Sequence, residues 1–477
     1  MYSLLPPLGQ NLVCSFYGWK EGRMRYGPGF EKTLTALLQS EKWRKADIDA
    51  YIDERIAELV AYAFENVPYY RETMRRRRLV PGDIRSRADL QKLPILTKEQ
   101  VRHNLDKLCS EKTDKRRLLL RHTSGTTGKS LHFYVSRAAI AFQWAVWWRH
   151  RHRFGLHRGM SHVNWTGKMA VPPKQCGPPY WRWNWPMNQA VVNMHHLTPA
   201  KIPYIMRFLN EHGFEFYSGY PSIVHALCLA SQEQGLALSS RPRVVVTGAE
   251  NIYDFQRRDI IEFTGATITD QYGFSEGGGN ASQCKENAYH EDFEFGILER
   301  VDAENLGNGM VRGRIVSTGF ANPEFPLIRY DVGDIGVWAN ADDPCPCGRE
   351  SRTLTAIEGR TDDYVVTPEG RRIMRFDYIF KDTVNVRECQ IVQRRPDTIV
   401  VRIVKRPAFN GKDEAFITSE IGRWISPRLG VEYEYVSEIE RERNGKFRAV
   451  KSEIHPSLAV SPGAAPPCGS GRLTDPR

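Results

Sequence analysis

Residues 243–273 read RVVVTGAENIYDFQRRDIIEFTGATITDQYG, which places a helix-like segment between two short apolar runs. The same alternation begins upstream with KIPYIMRFLNEHG (201–213), FEFYSG (214–219) and PSIVHALCLASQEQG (221–235). Alternation of this kind is typical of βαβ units and predicts a mostly parallel sheet. Because ligands of such folds bind beyond the carboxyl ends of the strands, the loops after these runs are the first candidates for a site.

The segments on either side of this region have different periods. Apolar residues at helical spacing between 46 and 78 predict a mostly helical N-terminal region, whereas the sequence after Ile297 is rich in strand patterns. Residues 155–200 are rich in Trp, Pro and His without a regular period, and we interpret them as irregular. At 477 residues the chain is too long for one ordinary core, so we expect two unequal domains.

Composition narrows the class of protein. The apolar fraction of 41% is enough for a globular core, and no apolar stretch is long enough to span a bilayer. Most of the nine cysteines are scattered singly, which indicates reduced thiols, and the N-terminus does not have a signal-peptide pattern. We therefore expect a cytoplasmic protein. The net charge of +11 is compatible with nucleic acid, an anionic surface or a polyphosphate substrate, and it does not choose among them.

A loop rich in Gly, Ser and Thr lies between two strand-like segments. It reads HTSGTTGK at residues 122–129 and offers hydroxyl groups, a cation and backbone N–H groups that can approach an anion closely. The P-loop motif G-x-x-x-x-G-K-[ST] does not fit, because Thr123 stands where Gly is required and a strand-like segment follows Lys129. A phosphate-binding loop and a plain turn both remain compatible with this stretch taken alone.

Five further motifs follow the loop in a fixed order. They are TGAE (247–250), QYGFSE (271–276), IRYDVGD (328–334), GRTDD (359–363) and NGK (444–446). With the TSGTTGK loop they resemble the signature of the adenylate-forming superfamily. VPYYRE (67–72), LPILTKEQVR (93–102) and CPCGR (345–349) are similar to the branch of phenylacetate–coenzyme A ligases and CapK-like proteins of capsular polysaccharide biosynthesis. The resemblance covers about residues 60–455.

This resemblance implies a fold and a domain plan. The fold is α/β, with a large N-terminal domain of mixed, largely parallel sheets and helices and a small, mobile α+β C-terminal domain. The large domain, which would bind ATP and the carboxylate, is expected at 1–358 and the small one at 359–455, with Asp362 as the hinge. Residues 456–477 are rich in Pro, Gly and Ser, which predicts a disordered tail.

The resemblance also implies an ATP site. The loop at 123–129 would hold the β- and γ-phosphates, Tyr272 would stack on the purine, and Asp334 would accept hydrogen bonds from the ribose hydroxyls. The full implied set is Thr123, Ser124, Gly125, Thr126, Thr127, Gly128, Lys129, Gly248, Ala249, Glu250, Gln271, Tyr272, Gly273, Ser275, Asp334 and Arg360, of which residues 248–250 would border the adenine.

Two residues are implied to act in the chemistry itself. Glu276 would hold Mg²⁺, because this ion prefers hard oxygen ligands and bridges phosphate oxygens. Lys446 would be a mobile cation that neutralises charge while the substrate carboxylate attacks the α-phosphate. The acid would lie near Tyr217, Gly219, Tyr220 and residues 277–279.

A second constellation consists of Cys284, His290, Cys345 and Cys347. Three thiolates and one imidazole form a complete tetrahedral zinc set if the fold brings them together. The C-x-C spacing is tighter than usual for zinc, so a turn with ordinary thiols is the alternative.

The predicted function is ATP-dependent activation of a carboxylate substrate through acyl-AMP, followed by thioester formation with coenzyme A. One alternative acceptor is a carrier protein, an amine or a sugar, and another reading is a scaffold whose ATP site has decayed. ATP, Mg²⁺ and coenzyme A are the expected ligands, with structural Zn²⁺ added if the cysteine cluster assembles. We expect neither a membrane span nor a nucleic-acid partner.

Overall fold

A computed structural model describes residues 2–123, 131–166, 170–172, 175–193, 196–340, 343–360, 365–368, 372–373, 379, 385–441 and 447–454. Within these residues the α-helices are α1 Pro7–Arg25, α2 Phe30–Ser40, α3 Lys45–Asn66, α4 Pro68–Arg76, α5 Lys98–His103, α6 Arg137–His152, α7 Ile202–His212, α8 Pro221–Gln232, α9 Asp254–Thr264 and α10 Gly411–Trp424. Short 3₁₀ helices lie at Tyr2–Leu4, Pro81–Asp83, Asp89–Lys92, Lys115–Arg117 and Trp185–Met187. None of the described helices combines the length and apolar character needed to cross a membrane.

The strands in the described residues fall into several sheets. They are β1 Leu119–His122, β2 His132–Val135, β3 His162–Thr166, β4 Trp181–Asn184, β5 Gln189–Asn193, β6 Phe216–Gly219, β7 Val244–Gly248, β8 Thr267–Gly273, β9 Asn280–Gln283, β10 Tyr289–Glu291, β11 Gly296–Gly307, β12 Met310–Gly319, β13 Tyr330–Trp338, β14 Thr353–Arg360, β15 Val365–Val366, β16 Arg372–Ile373, β17 Val386–Arg395, β18 Thr398–Lys405, β19 Gly430–Tyr435 and β20 Val450–Ser452.

The chain forms two compact units. Unit 1 comprises Met1–Thr361 and Glu440–Phe447, and unit 2 comprises Asp362–Ile439 and Arg448–Arg477. Unit 1 holds the large mixed sheet and the two-stranded sheet β1–β2, and unit 2 holds the sheets formed by β15–β16 and β17–β20, together with α10. The predicted fold class, α/β with a small α+β C-terminal part, is confirmed.

Unit 1 is organised on a mixed sheet with the described strand order β11-β12-β13-β14-β10-β9-β8-β7-β6-β3-β5-β4. Strands β5, β3, β6, β7 and β8 are parallel to one another, as the βαβ pattern predicts. The crossover helices α7, α8 and α9 bury apolar residues against this parallel block, where Val245 is fully buried. The strands from β9 to β14 are antiparallel to their neighbours, and α3 and α4 contribute to the core beneath them.

Within the antiparallel part of this sheet, β10 and β14 meet at a short junction. Only two residue pairs are in register between β10 and β14, Tyr289 with Leu354 and His290 with Thr353. One further backbone hydrogen bond, from Glu291 N to Arg352 O at 2.8 Å, extends the contact. The junction therefore has few ladder hydrogen bonds relative to its neighbours.

A buried ion cluster fixes α6 to the sheet beside that junction. Arg149 of α6 donates to Asp292 at 2.8 Å and to Glu294 at 2.6 Å. Burial alone would raise the pKa of Asp292, but Arg149 and Arg153 hold it below its usual value. Asp292 also accepts hydrogen bonds from Asn280 and Ser282 at the start and middle of β9. Strand β9 is thereby held in place directly after the loop that carries Glu276.

Residues 155–200 are not irregular as predicted, because they contain β3, β4 and β5. These strands are only four or five residues long, and linkers rich in Pro separate them. Their aromatic side chains pack in the core: the ring of Trp165 lies 5.6 Å edge-on from Tyr217, and Trp181 stacks on Phe208. Much of the aromatic enrichment of this region therefore belongs to strands that pack in the core.

Unit 2 is a small α+β body. Strands β17 and β18 form an antiparallel hairpin, and β20 and β19 extend it on either side in parallel. Helix α10 buries Ile417 and Ile421 against this sheet. The two-stranded sheet β15–β16 is joined to it by Gln393, whose side chain exchanges two hydrogen bonds of 2.7 Å with the backbone of Val366.

Candidate functional site

The carboxyl ends of β7 and β8 lie side by side and carry two of the predicted motifs. Gly248 is in register with Gln271, and a Cβ atom at Gly248 would lie 3.0 Å from the Gln271 carbonyl oxygen. The next residue, Ala249, has a left-handed backbone with φ of 68°. The TGAE segment is thus turned sharply at the end of its strand, and glycine permits the close backbone approach.

Tyr272 and Asp334 form the first side-chain pair of the site. The Tyr272 hydroxyl donates to Asp334 Oδ2 at 2.8 Å, and the Tyr272 ring is buried. Three strands separate β8 from β13 in the sheet order, so the sheet must curve for these two strands to meet. The predicted purine-stacking and ribose-binding residues, which lie far apart in the sequence, are in direct contact.

Glu276 and Tyr330 form a second pair between the same two regions. The Tyr330 hydroxyl donates to Glu276 Oε1 at 2.7 Å, and both side chains are buried. A single hydrogen bond orients a carboxylate that has several lone pairs, so Glu276 retains acceptor capacity for a cation. The adjacent Ser275 is exposed. Tyr330 lies inside the IRYDVGD motif, but no role was predicted for it from the sequence.

The start of β13 is held rigidly, which fixes Asp334 in turn. Arg329 is buried with φ of 55°, pairs with Glu299 at 3.0 Å and donates to Leu93 O at 2.6 Å. The backbone of Leu96 bonds to Arg329 O and to Asp331 N, at 2.8 and 2.9 Å. The LPILTKEQVR segment therefore docks on the IRYDVGD segment, and the arginine of that motif is structural.

Buried polar groups continue beneath the nucleotide motifs. Asp270 accepts hydrogen bonds of 2.6 Å from both Thr247 Oγ1 and the Tyr289 hydroxyl, and burial raises its pKa. The neighbouring Gln271 Nε2 is buried and donates to no acceptor among the described residues. An unpartnered buried amide donor is costly, and a bound ligand with an acceptor atom would satisfy it. The unpartnered amide donor of Gln271, at the end of β8, therefore fits an acceptor atom of a nucleotide.

Glu250 contacts a segment near the end of the chain. Its Oε1 accepts from Phe447 N at 2.6 Å, and its Oε2 accepts from Ser222 N at 3.3 Å. Burial raises the pKa of the Glu250 carboxyl despite these bonds. All three residues belong to unit 1, and Phe447 directly follows the predicted catalytic lysine.

The structure places only part of the predicted site. Thr123 closes the base of the phosphate loop, because its backbone N–H donates to Leu131 O at 2.9 Å and its side chain accepts from Leu131 N. The backbone of Arg360 is in register with Asp334. The described residues do not include Ser124, Gly125, Thr126, Thr127, Gly128, Lys129, Asp362, Lys446 or the side chain of Arg360.

Residues predicted to border the acid are partly core residues. Tyr217 is buried, and a Cβ atom at Gly279 would lie 2.6 Å from Leu298 Cδ2. These positions pack against neighbouring strands, and their contribution to an acid pocket stays a prediction.

The predicted zinc ligands do come together. One ligand atom from each of Cys284, His290, Cys345 and Cys347 lies within 4.8 Å of all the others. The Cys347 Sγ and His290 Nε2 atoms are 3.2 Å apart, and the Cys284 and Cys345 sulfurs are 3.7 Å apart. His290 Nδ1 lies 3.3 Å from Ser351 Oγ, an outer hydrogen bond of the kind that orients a metal-binding imidazole.

Burial supports the same chemistry. It lowers the pKa of His290 to about 3, so the imidazole is neutral and can act as a ligand at neutral pH. Cys284 and His290 come from the β9–β10 hairpin, and Cys345 and Cys347 come from the β13–β14 loop. The C-x-C pair is therefore joined by two ligands from a segment that is distant in sequence. Three sulfurs and one nitrogen at this separation fit tetrahedral Zn²⁺.

Comparison with known proteins gives three findings from sequence. Residues 365–453 match the family model of the CapK C-terminal domain. The chain is 26% identical to the protein CapK of Staphylococcus aureus over 464 residues, covering 95% of this chain and 99% of that protein. A phenylacetate–coenzyme A ligase of Thermus thermophilus is also 26% identical, over 94% of this chain and 98% of the ligase.

Solved structures share the fold. A 2-hydroxyisobutyryl-CoA ligase in complex with 2-HIB-AMP superposes with a TM-score of 0.69, covering 88% of this chain and 92% of that chain at 18% identity. An anthranilate CoA ligase in complex with anthranoyl-AMP superposes with a TM-score of 0.50 over 71% and 66% at 15% identity. At these identities the likeness is one of fold.

Proposed function

We propose that the chain activates a carboxylate with ATP through an acyl-AMP intermediate, as a member of the adenylate-forming superfamily in the branch of CapK and the phenylacetate–coenzyme A ligases, to which it is similar. The observation that carries the proposal is the pair of hydrogen bonds from Tyr272 to Asp334 and from Tyr330 to Glu276. Two hydrogen bonds thus join the QYGFSE and IRYDVGD motifs, which are far apart in the sequence. A shared ATP site requires such an arrangement.

The proposed reaction is an in-line displacement at phosphorus. A carboxylate oxygen of the substrate attacks the α-phosphorus of ATP, and the bond to the bridging oxygen breaks so that pyrophosphate leaves. Tyr272 and Asp334 orient the nucleoside, Gln271 Nε2 offers a hydrogen bond to it, and Lys446 supplies positive charge. Mg²⁺ held by Glu276 would neutralise the phosphate charge.

Coenzyme A is the proposed acceptor of the acyl group. Its thiolate sulfur attacks the acyl carbon, the bond from that carbon to the phosphate oxygen breaks, and AMP leaves. The support is that the phenylacetate and 2-hydroxyisobutyryl relatives are named as coenzyme A ligases. A carrier protein remains an alternative acceptor, and the cytoplasmic location stays a prediction.

We further propose that Cys284, His290, Cys345 and Cys347 bind one structural zinc ion. Four protein ligands would close its coordination sphere, and closed four-ligand sites are structural in other zinc proteins. Thiolate ligands and a neutral imidazole match this metal better than Mg²⁺, which prefers oxygen.

ATP–pyrophosphate exchange with a panel of acids tests the proposed function. The panel should include phenylacetate, 2-hydroxyisobutyrate and anthranilate, and exchange should rise above the acid-free rate with at least one acid. Asp334→Ala provides the matched inactive control. Folded, zinc-loaded protein that shows no acid-dependent exchange across a broad panel would establish the decayed scaffold instead. Release of AMP that depends on coenzyme A would then identify the acceptor.

A further inference from the structure

Helix α1 lies on the surface with its polar side facing the protein and its apolar side facing outward. Gln10, Ser15 and Gly18 are buried on its inner face. Its outer face exposes Leu8 to 63%, Leu12 to 58% and Phe16 to 60% of their areas. A helix on the surface of a globular protein ordinarily has the opposite orientation, with its apolar residues facing the core.

The polar inner face has an evident task, because it covers the edge strand of the sheet. The Trp183 N–H of β4 donates to Asn11 Oδ1 at 3.0 Å, and the Trp185 N–H donates to Ser15 Oγ at 3.1 Å. Arg182 donates through Nε to Gln10 Oε1 at 2.7 Å. Edge strands have unpaired backbone groups, and α1 satisfies them with its side chains. This task does not explain the apolar residues on the other side.

The outer face of α1 is a concentrated apolar surface. We define it by the exposed residues Leu8, Leu12, Phe16, Tyr17 and Trp19 of the helix, together with the exposed Leu4 and Leu5 that shortly precede it. These are seven of the sixteen large apolar residues that are exposed in the described part of the chain, and Trp185 lies next to the helix. Clusters of this kind mark interaction sites, whereas isolated exposed apolar residues need no explanation.

The charged residues of this N-terminal segment lie at its C-terminal end. Residues 1–19 contain no Asp, Glu, Lys or Arg, and Lys20 and Arg23 follow immediately. The Arg23 guanidinium lies 5.2 Å from the centre of the Trp19 ring, at the edge of the apolar face. Glu21, the nearby carboxylate, is paired with Arg25. The outer face of α1 therefore has a rim of positive charge.

We propose that the outer face of α1 docks on an anionic membrane surface, with the helix in the plane of the interface. Leu and Phe side chains would enter the boundary between headgroups and acyl chains, and Trp19, Tyr17 and Trp185 would lie at headgroup level. Lys20 and Arg23 would meet lipid phosphates. This surface lies on α1, apart from the nucleotide site, and the proposal does not depend on the proposed reaction.

Charge also argues against a second copy of the chain as the occupant. In a two-fold pairing of outer faces, Lys20 and Arg23 would lie against residues 1–19 of the partner copy. That segment offers no carboxylate, so the cations would be desolvated without a counter-charge. Lipid phosphates supply the missing negative charge.

Vesicle flotation tests the proposal on the full chain. Wild-type protein should float with vesicles of phosphatidylcholine and phosphatidylglycerol, and weakly with phosphatidylcholine alone. Leu12→Glu/Phe16→Glu should lower the bound fraction by about tenfold or more, since burial of one such side chain accounts for roughly a factor of ten. Lys20→Glu/Arg23→Glu should abolish the preference for the anionic lipid.

The matched control is Leu306→Glu/Val80→Glu, which adds the same two charges at exposed apolar residues outside α1. It should float like wild type. Equal flotation of wild type and Leu12→Glu/Phe16→Glu would overturn the proposal. So would light scattering that finds a dimer which these substitutions convert to a monomer, together with wild type that does not float.

Discussion

At the scale of single residues, the candidate site depends on tyrosine hydroxyls that orient carboxylates. Tyr272 bonds to Asp334, Tyr330 bonds to Glu276, and Tyr289 bonds to Asp270. A neutral donor fixes the direction of a carboxylate without neutralising its charge, whereas an arginine partner would compete with a metal or a ribose. The site can therefore be rigid and still present negative charge to its ligands.

The first prediction concerns Asp334. Asp334→Ala should weaken ATP binding by roughly 100-fold or more, because each charge-assisted hydrogen bond lost to a ribose hydroxyl costs about 1.5–3 kcal/mol. Tyr272→Phe removes only the hydroxyl that orients this carboxylate, so it should have a smaller effect. Titration calorimetry with ATP measures both variants. Unchanged affinity in Asp334→Ala would remove this residue from the site.

The second prediction concerns the pH dependence of stability through His162. Its Nδ1–H donates to Met160 O at 3.1 Å, its Nε2 accepts from Gln189 at 2.8 Å, and burial lowers its pKa to about 4. The unfolded chain takes up this proton near pH 6.5, so the folded state loses stability as pH falls from about 6.5 towards 4, by about 1–3 kcal/mol.

Urea unfolding at several pH values in this window measures the effect. His162→Gln should show a shallower loss of stability with falling pH than wild type. His103→Gln, which replaces an exposed histidine, should follow wild type. If the slope of His162→Gln equals that of wild type, another group is responsible for the acid sensitivity.

The sequence motifs contain the predicted site residues Tyr272, Glu276 and Asp334, but they did not indicate the residues that hold these side chains in place. Tyr330 lies inside the IRYDVGD motif and Asp270 directly precedes QYGFSE, yet the partner of Tyr330 is 54 residues away and that of Asp270, Tyr289, is 19 residues away. Pairing over such distances depends on the curvature of the sheet, which local periodicity does not encode. The signal that the sequence did offer was a tyrosine close to an acidic residue of a motif.

At the scale of elements, the junction between β10 and β14 is the critical joint of unit 1. Tyr272 and Glu276 lie on the β8 side of this junction, and Asp334 and Tyr330 lie on the β13 side. With two registered pairs, the ladder alone is short. The four proposed zinc ligands come from the β9–β10 hairpin and the β13–β14 loop, so the ion would fasten the two halves of the site together.

The third prediction is that zinc loss weakens ATP binding at a distance. Cys345→Ser should lose the metal and lower ATP affinity by about 5-fold or more, in the range of coupling free energies of 1–3 kcal/mol. Metal analysis and calorimetry report the two effects separately. Cys176→Ser, at an exposed cysteine, is the control. Wild type without zinc, when produced with zinc available, contradicts the site itself, and normal ATP affinity in Cys345→Ser contradicts only the coupling.

The elements were predictable where their period is regular. The alternation at residues 201–273 matches α7, β6, α8, β7, α9 and β8, and the helical spacing near residue 50 matches α3. Strands β3, β4 and β5 were missed because strands of four or five residues between proline-rich linkers show too few alternations to be recognised. Their pairing is fixed by neighbours in the sheet that are distant in sequence.

At the scale of the whole molecule, the end of the chain is divided between the two units. Residues Glu440–Phe447 belong to unit 1, and the chain from Arg448 onward belongs to unit 2. The N–H of Phe447 donates to Glu250, beside the nucleotide motifs. The predicted boundary at residues 358/359 and the motion of the small domain stay predictions. The predicted catalytic lysine directly precedes, in the sequence, the point near residue 447 where the chain passes from unit 1 to unit 2.

The final prediction is that Lys446 serves adenylation and is dispensable for thioester formation. It lies in the predicted Asn-Gly-Lys turn, directly before Phe447, and a lysine offers a point charge on a flexible stem. Negative charge gathers around the α-phosphate only in the first half-reaction, so a cation delivered by domain closure can be withdrawn once pyrophosphate has left. Lys446→Ala should therefore slow acyl-AMP formation by about 10²-fold or more, by analogy with the loss of one preorganised donor. Chemically supplied acyl-AMP should still be consumed with coenzyme A at nearly the wild-type rate.

Lys451→Ala is the matched control. Lys451 is paired with Glu453 at 2.6 Å, so its replacement should leave both steps intact. If Lys446→Ala keeps full pyrophosphate exchange, the role must belong to another cation.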